Sequence, residues 1–150
     1  MVFTKSIIEG RCRARYGFPC CLRLRRKRDY ARVFDDPYRS TDSAVTVLGR
    51  PNGRDIPRLG LAISKRWLPR AVSRNRIKRL IRESFRAHRR QLQGMDVVVI
   101  SRSAIANIES IDFSRSLERH WKRMGNPIRR SRNQNTPQKI SGDKKPCDAS

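Results

Sequence analysis

Residues 73–86 read Ser-Arg-Asn-Arg-Ile-Lys-Arg-Leu-Ile-Arg-Glu-Ser-Phe-Arg and hold the strongest chemical signal in the sequence. Wound as a helix at about 100° per residue, Lys78, Arg79, Arg82, Arg86, Arg89 and Arg90 share one arc. Arg76 sits at its edge, and Glu83 is the only acid nearby. Ile77, Leu80, Ile81, Phe85, His88 and Leu92 fill an opposite arc of roughly 140°, a stripe that must pack on protein. Like charges one turn apart cost a few tenths of a kcal/mol per pair, so an ordinary solvated face mixes its signs. Phosphates remove that cost, and arginine forks pair with phosphate oxygens bidentately. The face is suited to RNA or DNA, and charge alone does not choose between them.

Two aromatics on a second short helix add another chemistry. Tyr30 and Phe34 lie one turn apart beside Arg26, Arg28 and Arg32. Such a pair either packs in the core or lines a groove where unpaired bases stack while arginines follow the backbone. Catalytic chemistry is poorly represented. His88 and His120 each fall within a helical apolar stripe, the place of a packed histidine. Asp35-Asp36 is the only adjacent acidic pair, Gly49 and Gly53 belong to a turn, and no phosphate-cradling glycine loop occurs. No catalytic residue and no metal ligand set is predicted.

The whole chain has the same bias. Of its 150 residues 36 are Lys or Arg and 13 are Asp or Glu, a net charge of +23. Residues 22–124 alone hold 26 basic and 10 acidic residues, or +16, so the excess belongs to the folded body and not only to its tails. A polyanion is the expected partner. The length suits one domain and excludes a large multidomain enzyme. No stretch approaches the roughly 20 apolar residues of a membrane span, and Met1–Glu9 is too weak for a secretory signal. Cys12, Cys20, Cys21 and Cys147 show no metal-ligand spacing, and adjacent Cys20 and Cys21 suit no disulfide framework. Four reduced thiols and a cytoplasmic setting are expected.

The elements that must position these residues follow from periodicity. Residues 1–17 read as an extension, and residues 125–150, rich in Gly, Pro, Asn, Ser and Lys, as a basic disordered tail. Between them, Asp29 can cap a short helix carrying Tyr30, Val33 and Phe34. Ala44–Leu48 alternates as a strand with Val45 and Val47 on one face, and Pro51-Asn52-Gly53 is a turn. Leu59, Leu61 and Ile63 alternate in a second strand. Ser73 can cap the basic helix, which runs to about residue 92. Val97–Ile100 reads as a central strand, and Phe113, Leu117, Trp121 and Met124 mark a last helix stopped by Gly125 and Pro127. Trp121 is a core residue, whereas Trp67 sits in a basic loop. Helices packed on a sheet give an α/β sandwich.

The segment Arg-Asn-Arg-Ile-Lys-Arg-Leu-Ile-Arg-Glu-Ser-Phe-Arg, residues 74–86, resembles the signature of the protein subunit of bacterial ribonuclease P. Further pieces follow in that family's order: Phe18-Pro19 with Leu22-Arg23-Leu24, Asp29-Tyr30 to Val33-Phe34, Arg58-Leu59-Gly60-Leu61 through Ser64-Lys65-Arg66, Asp96–Ile100, and Leu117–Trp121. The resemblance covers about residues 18–124. It implies an α+β fold, a two-layer sandwich of order α-β-β-β-α-β-α like the second domain of ribosomal protein S5. The crossover is then left-handed, against the usual rule, and a further strand falls near Tyr38–Thr41.

The resemblance also implies a function without a protein active site. The catalyst is an RNA that removes the 5′ leader of precursor tRNA by Mg²⁺-assisted hydrolysis, with one protein per RNA. By motif, Lys65, Arg66, Arg74, Asn75, Arg76, Lys78, Arg79 and Arg82 would contact the catalytic RNA. Tyr30, Phe34 and one sheet face including Val45 would bind the leader, although Val45 stands where some members carry an aromatic. A structural RNA-binding protein of ribosomal type fits the same charge and size. A protein-only nuclease would need clustered carboxylates, which the sequence lacks.

Overall fold

The computed structural model describes residues 18–125; the predicted extension and tail lie outside it, except that Gly125 ends the last helix. The elements are α1 (Lys27–Asp35), β1 (Tyr38–Thr41), β2 (Val45–Pro51), β3 (Arg58–Ala62), α2 (Ala71–Ala87), β4 (Met95–Ser101) and α3 (Ser110–Gly125), with short 3-10 turns at Cys20–Leu22 and Ser103–Ala106. The four strands form one sheet in the order β1-β2-β4-β3. β2 is antiparallel to both β1 and β4, whereas β3 runs parallel to β4 and reaches it through α2. Val97–Ile100 is therefore central, as its continuous apolar run predicts.

Strand alternation divides the core. Val45, Val47, Leu59, Val97 and Val99 face α2 and α3, meeting Ile77, Ile81, Phe85, Phe113, Leu117 and Trp121. Leu48 and Val98 face the other way and meet Leu24 and Val33, so α1 covers part of the opposite face. Phe85 stacks edge-on against Trp121, and the Trp121 indole donates to Ser84 Oγ at 2.8 Å.

Helix ends depart from the predicted caps. Asp29 lies inside the first turn of α1, where Arg26 is the N-cap, and its carboxylate turns toward Arg58 at 3.4 Å. Ser73 is likewise inside α2, which starts at Ala71. That helix stops at Ala87, not residue 92, because the His88 N–H closes it onto Ser84 and Phe85 carbonyls. Leu92 still reaches the core, from the turn beyond. The cysteine reading is also corrected: Cys20 is an exposed free thiol, but Cys21 is disulfide-bonded. Adjacency argues against a bond between those two sulfurs only and says nothing about a distant partner.

Candidate nucleic-acid interface

The basic face of α2 is one wall of a groove of about 540 Å³, lined by Asn75, Arg79, Arg82, Glu83 and Arg86 with Phe18 and Arg23 opposite. The chain before α1 forms the second wall because Arg23 bridges Leu59 and the Leu24 N–H donates to the Leu59 carbonyl at 3.0 Å. Phe18 is anchored edge-on to core Phe85 at 5.9 Å, and the Arg23 guanidinium lies over its ring at 5.6 Å. Partial burial, with Arg23 facing it, pushes the Arg82 pKa below the ordinary arginine value. Two guanidiniums held across a groove are a place where an anion is stabilised.

Three of the motif residues named from sequence, Asn75, Arg79 and Arg82, meet in this groove. Others are used differently. Arg74 donates from Nη1 to the Leu68 and Pro69 carbonyls at 2.8 and 2.6 Å, bracing the loop before α2. Arg76 reaches Ser110 Oγ at 2.8 Å on α3. Lys78 is half-buried. Lys65 and Arg66 are exposed on the braced loop, and Arg66 lies over the half-buried Trp67 ring at 4.8 Å. Sequence reasoning missed Phe18, Arg23 and Glu83 as groove residues, and placed Arg86 on the basic arc without counting it among the RNA contacts. Arg86 continues the 75, 79, 82 spacing and was findable; Phe18 and Arg23 arrive through a long-range strand bridge that periodicity does not reveal.

The second predicted site lies on the far face of the sheet. The Tyr30 ring rests on Gly60 so closely that a Cβ there would come within 2.8 Å of it, which makes glycine necessary for this packing. Phe34 is 42% exposed, so the pair divides between packing and display. Beyond α1, alternation places Thr41, Thr46, Ala62 and Ile100 on the same face, and Thr41 bonds Thr46 across the strands at 3.3 Å. Val45 does not belong with them. It is fully buried and points to the α2–α3 side, one position out of phase with Thr46, so it cannot meet a ligand beside Tyr30.

Ion pairing from the sheet, buried at one end and exposed at the other, sets the position of α1. Arg58 grips Asp96 with two bonds of 2.8 and 2.5 Å and approaches Asp29 of α1 at 3.4 Å. Its bonds to Asp96 outweigh burial and raise its pKa. Farther along, Arg50 donates to the Arg32 carbonyl at 2.6 Å and pairs with Asp35 at 3.5 Å. Both arginines come from the sheet, so α1 is held near each end.

His120 is buried, as the apolar stripe predicts, and stands between Ser40 (2.7 Å from Nδ1) and Asp42 (3.0 Å from Nε2). The order of groups is that of a hydrolytic triad, but Ser40 and His120 are 5% and 2% exposed and offer no approach to a substrate. Burial pushes the imidazole below its ordinary pKa, against the pull of Asp42. For Asp42 burial acts upward, but bonds from Ser116, the Val45 and Ala44 amides, and His120 outweigh it and hold the carboxyl low. The cluster ties α3 to the β1–β2 turn. Among the described residues no three His, Cys, Asp or Glu side chains converge as a metal site, and no helix is long and apolar enough to cross a membrane.

Known proteins resemble this chain in sequence and in fold. A family profile described as Ribonuclease P matches residues 18–125. The ribonuclease P protein component of Methylococcus capsulatus is 49% identical over 106 residues, covering 71% of this chain and 83% of the relative. That of Escherichia coli O157:H7 is 42% identical over 107 residues, covering 71% and 90%. The solved RNase P protein of Thermotoga maritima matches with a TM-score of 0.61 at 31% identity, over 67% of this chain and 96% of that one. With the profile spanning every described residue and relatives this similar, the chain belongs to the ribonuclease P protein family.

Proposed function

We propose that the chain is the RNA-binding protein half of a ribonuclease P holoenzyme that removes the 5′ leader from precursor tRNA in the cytoplasm, one protein to each catalytic RNA. The observation that carries this is the division of α2, whose apolar stripe is committed to the core while its cations face a groove open to solvent. Asn75, Arg79 and Arg82, with Lys65 and Arg66 on the adjoining loop, bind the catalytic RNA through phosphates. Lys78 contributes from its half-buried place, while Arg74 and Arg76 act by holding the loop and α3. Tyr30, Phe34 and the uncovered sheet face beyond α1 take the leader. Hydrolysis is assigned to Mg²⁺ bound mainly by the RNA. The protein's part is to neutralise phosphates where leader and catalytic RNA converge, which lowers the Mg²⁺ needed and favours substrate over leaderless product.

Reconstitution on precursor tRNA at low Mg²⁺, with protein alone, RNA alone and both, tests this. Cleavage is expected only with both, and cleavage by protein alone would refute it. In the same assay Tyr30→Ala and Phe34→Ala should each weaken leader-bearing substrate by about 1–3 kcal/mol per stacked base. Equal losses for leaderless tRNA would remove the leader assignment.

A further inference from the structure

Glu83 is out of place in a surface built only for phosphate. It lines the α2 groove together with Arg23, Arg79, Arg82 and Arg86, and its carboxylate repels the anion those arginines attract. The simple role for an acid at this spacing is pairing with Arg79 at i−4 or Arg86 at i+3. Among the described residues Glu83 forms neither pair, although Arg115 and Asp112 on α3 do pair at that spacing. An exposed carboxylate left to itself among four guanidiniums keeps its acceptor capacity for a ligand.

The other polar and apolar groups of the groove suit the rest of a nucleotide. Asn75 offers an amide, which both donates and accepts, eight residues and about 12 Å of helix axis away from Glu83. Arg23, lying over the Phe18 ring, presents its outer face as a planar cation on which a base can stack. Phe18 packs edge-on against core Phe85, which seats its ring on the body of the protein. A double-stranded phosphate ridge would use the arginines and leave Phe18, Asn75 and Glu83 without a task. Splayed, unpaired nucleotides use all of them.

We propose that this groove, beyond the phosphate contacts assigned above, reads an unpaired RNA base that carries an exocyclic amino group, accepted by Glu83 and stacked on the Phe18–Arg23 wall. Carboxylates accept from such amino groups. Adenine, cytosine and guanine have one and uracil does not. The assignment rests on the reading of α2 as the RNA-binding face, and its test separates the two.

The full chain, wild type and with Glu83→Ala or Glu83→Gln, is titrated against labelled 12-nucleotide oligo(A), oligo(C) and oligo(U) over a range of salt. Wild type should bind oligo(A) and oligo(C) about tenfold more tightly than oligo(U), the worth of one charge-assisted hydrogen bond. Glu83→Ala should lose that margin with an unchanged slope of log Kd against log salt. Glu83→Gln, whose amide also donates, should narrow the margin by gaining oligo(U). A Glu83 that only softens helix repulsion gives another result: both variants bind all three oligomers more tightly, and this overturns the assignment. Equal wild-type affinities, or a margin that survives in Glu83→Ala, overturn it as well. Arg79→Ala and Arg86→Ala serve as the separate arm. Their slopes should fall by about 0.7 per lost single-strand contact, and unchanged slopes there would remove the wider reading of the face.

Discussion

Replacing Arg58 by Met should destabilise this protein more than any change to its many exposed arginines. Arg58 is 8% exposed and Asp96 3%, so neither can turn to water when the other is lost. The methionine fills much of the space but leaves the Asp96 carboxylate with Asn52 Nδ2, at 2.9 Å, as its remaining side-chain donor. Removing one partner of a buried pair costs about 3–5 kcal/mol. With a urea dependence of about 2 kcal/mol per molar for a domain of this size, the midpoint should fall by about 2 M. Asp96→Asn alone should also destabilise, but in the Arg58→Met background it should cost far less, because the orphaned charge is gone. Urea unfolding followed by circular dichroism measures all four corners of this cycle. A loss below about 1 kcal/mol for Arg58→Met, or additive single effects, would refute the reasoning. Because Arg58 also faces Asp29, the variant should weaken leader-bearing substrate more than it weakens the catalytic RNA.

Two further outcomes follow from contacts already described. His120 has a folded pKa below its ordinary 6.5, so the unfolded chain takes up the proton first. Stability is then complete above about pH 6.5 and declines below it, by up to about 1.4 kcal/mol per pH unit, until the folded pKa is passed. The depressed Asp42 carboxyl extends the loss below its ordinary 3.8. Urea unfolding from pH 7.5 to 5 should show this slope, His120→Gln should flatten it, and a flat wild-type profile would contradict it. Arg74→Ala frees the 68–69 carbonyls and should weaken RNA binding several-fold in wild type but hardly at all in an Arg66→Ala background. Independent, additive losses would show that Arg74 touches RNA itself.

Periodicity made the elements legible where one face is buried. The stripe of α2 appears with Ile77, Ile81 and Phe85 buried, and Val45, Val47 and Leu59 turn to the same core. Leu61 is only half-buried, Ile63 lies beyond β3, and β3 burial does not alternate because α1 covers part of the other face. What it missed depends on partners far away in sequence. Asp29 has the composition of a cap, but its carboxylate is drawn to Arg58 on a strand. Alternation puts Val45 with Val47 on one face, and pairing with β4 turns that face to α2 and α3, away from the leader side that the resemblance implies. Arg74 and Arg79 look alike in a basic motif; loop carbonyls occupy one and leave the other in the groove. A local pattern therefore identifies a charged face but not the work of each charge on it.

The same distinction explains the protein's field. Residues 18–125 carry the full 26 basic and 10 acidic residues of the body, but the two signs are not used alike. Asp29 and Asp96 are turned to Arg58, and Asp42 to His120, Ser116 and two backbone amides. Their charge is spent on internal bonds where it fixes α1 and α3 against the sheet. Among the described residues the arginines of α2 have no comparable internal demand beyond Arg74 and Arg76. Polyanion attraction is thus generated by where acids are buried as much as by how many bases there are. Moving an acid from such an internal pair to the groove would cost stability and affinity together. An acid that stands in the groove with no internal partner among the described residues, as Glu83 does, is then accounted for by what it can accept from a bound base.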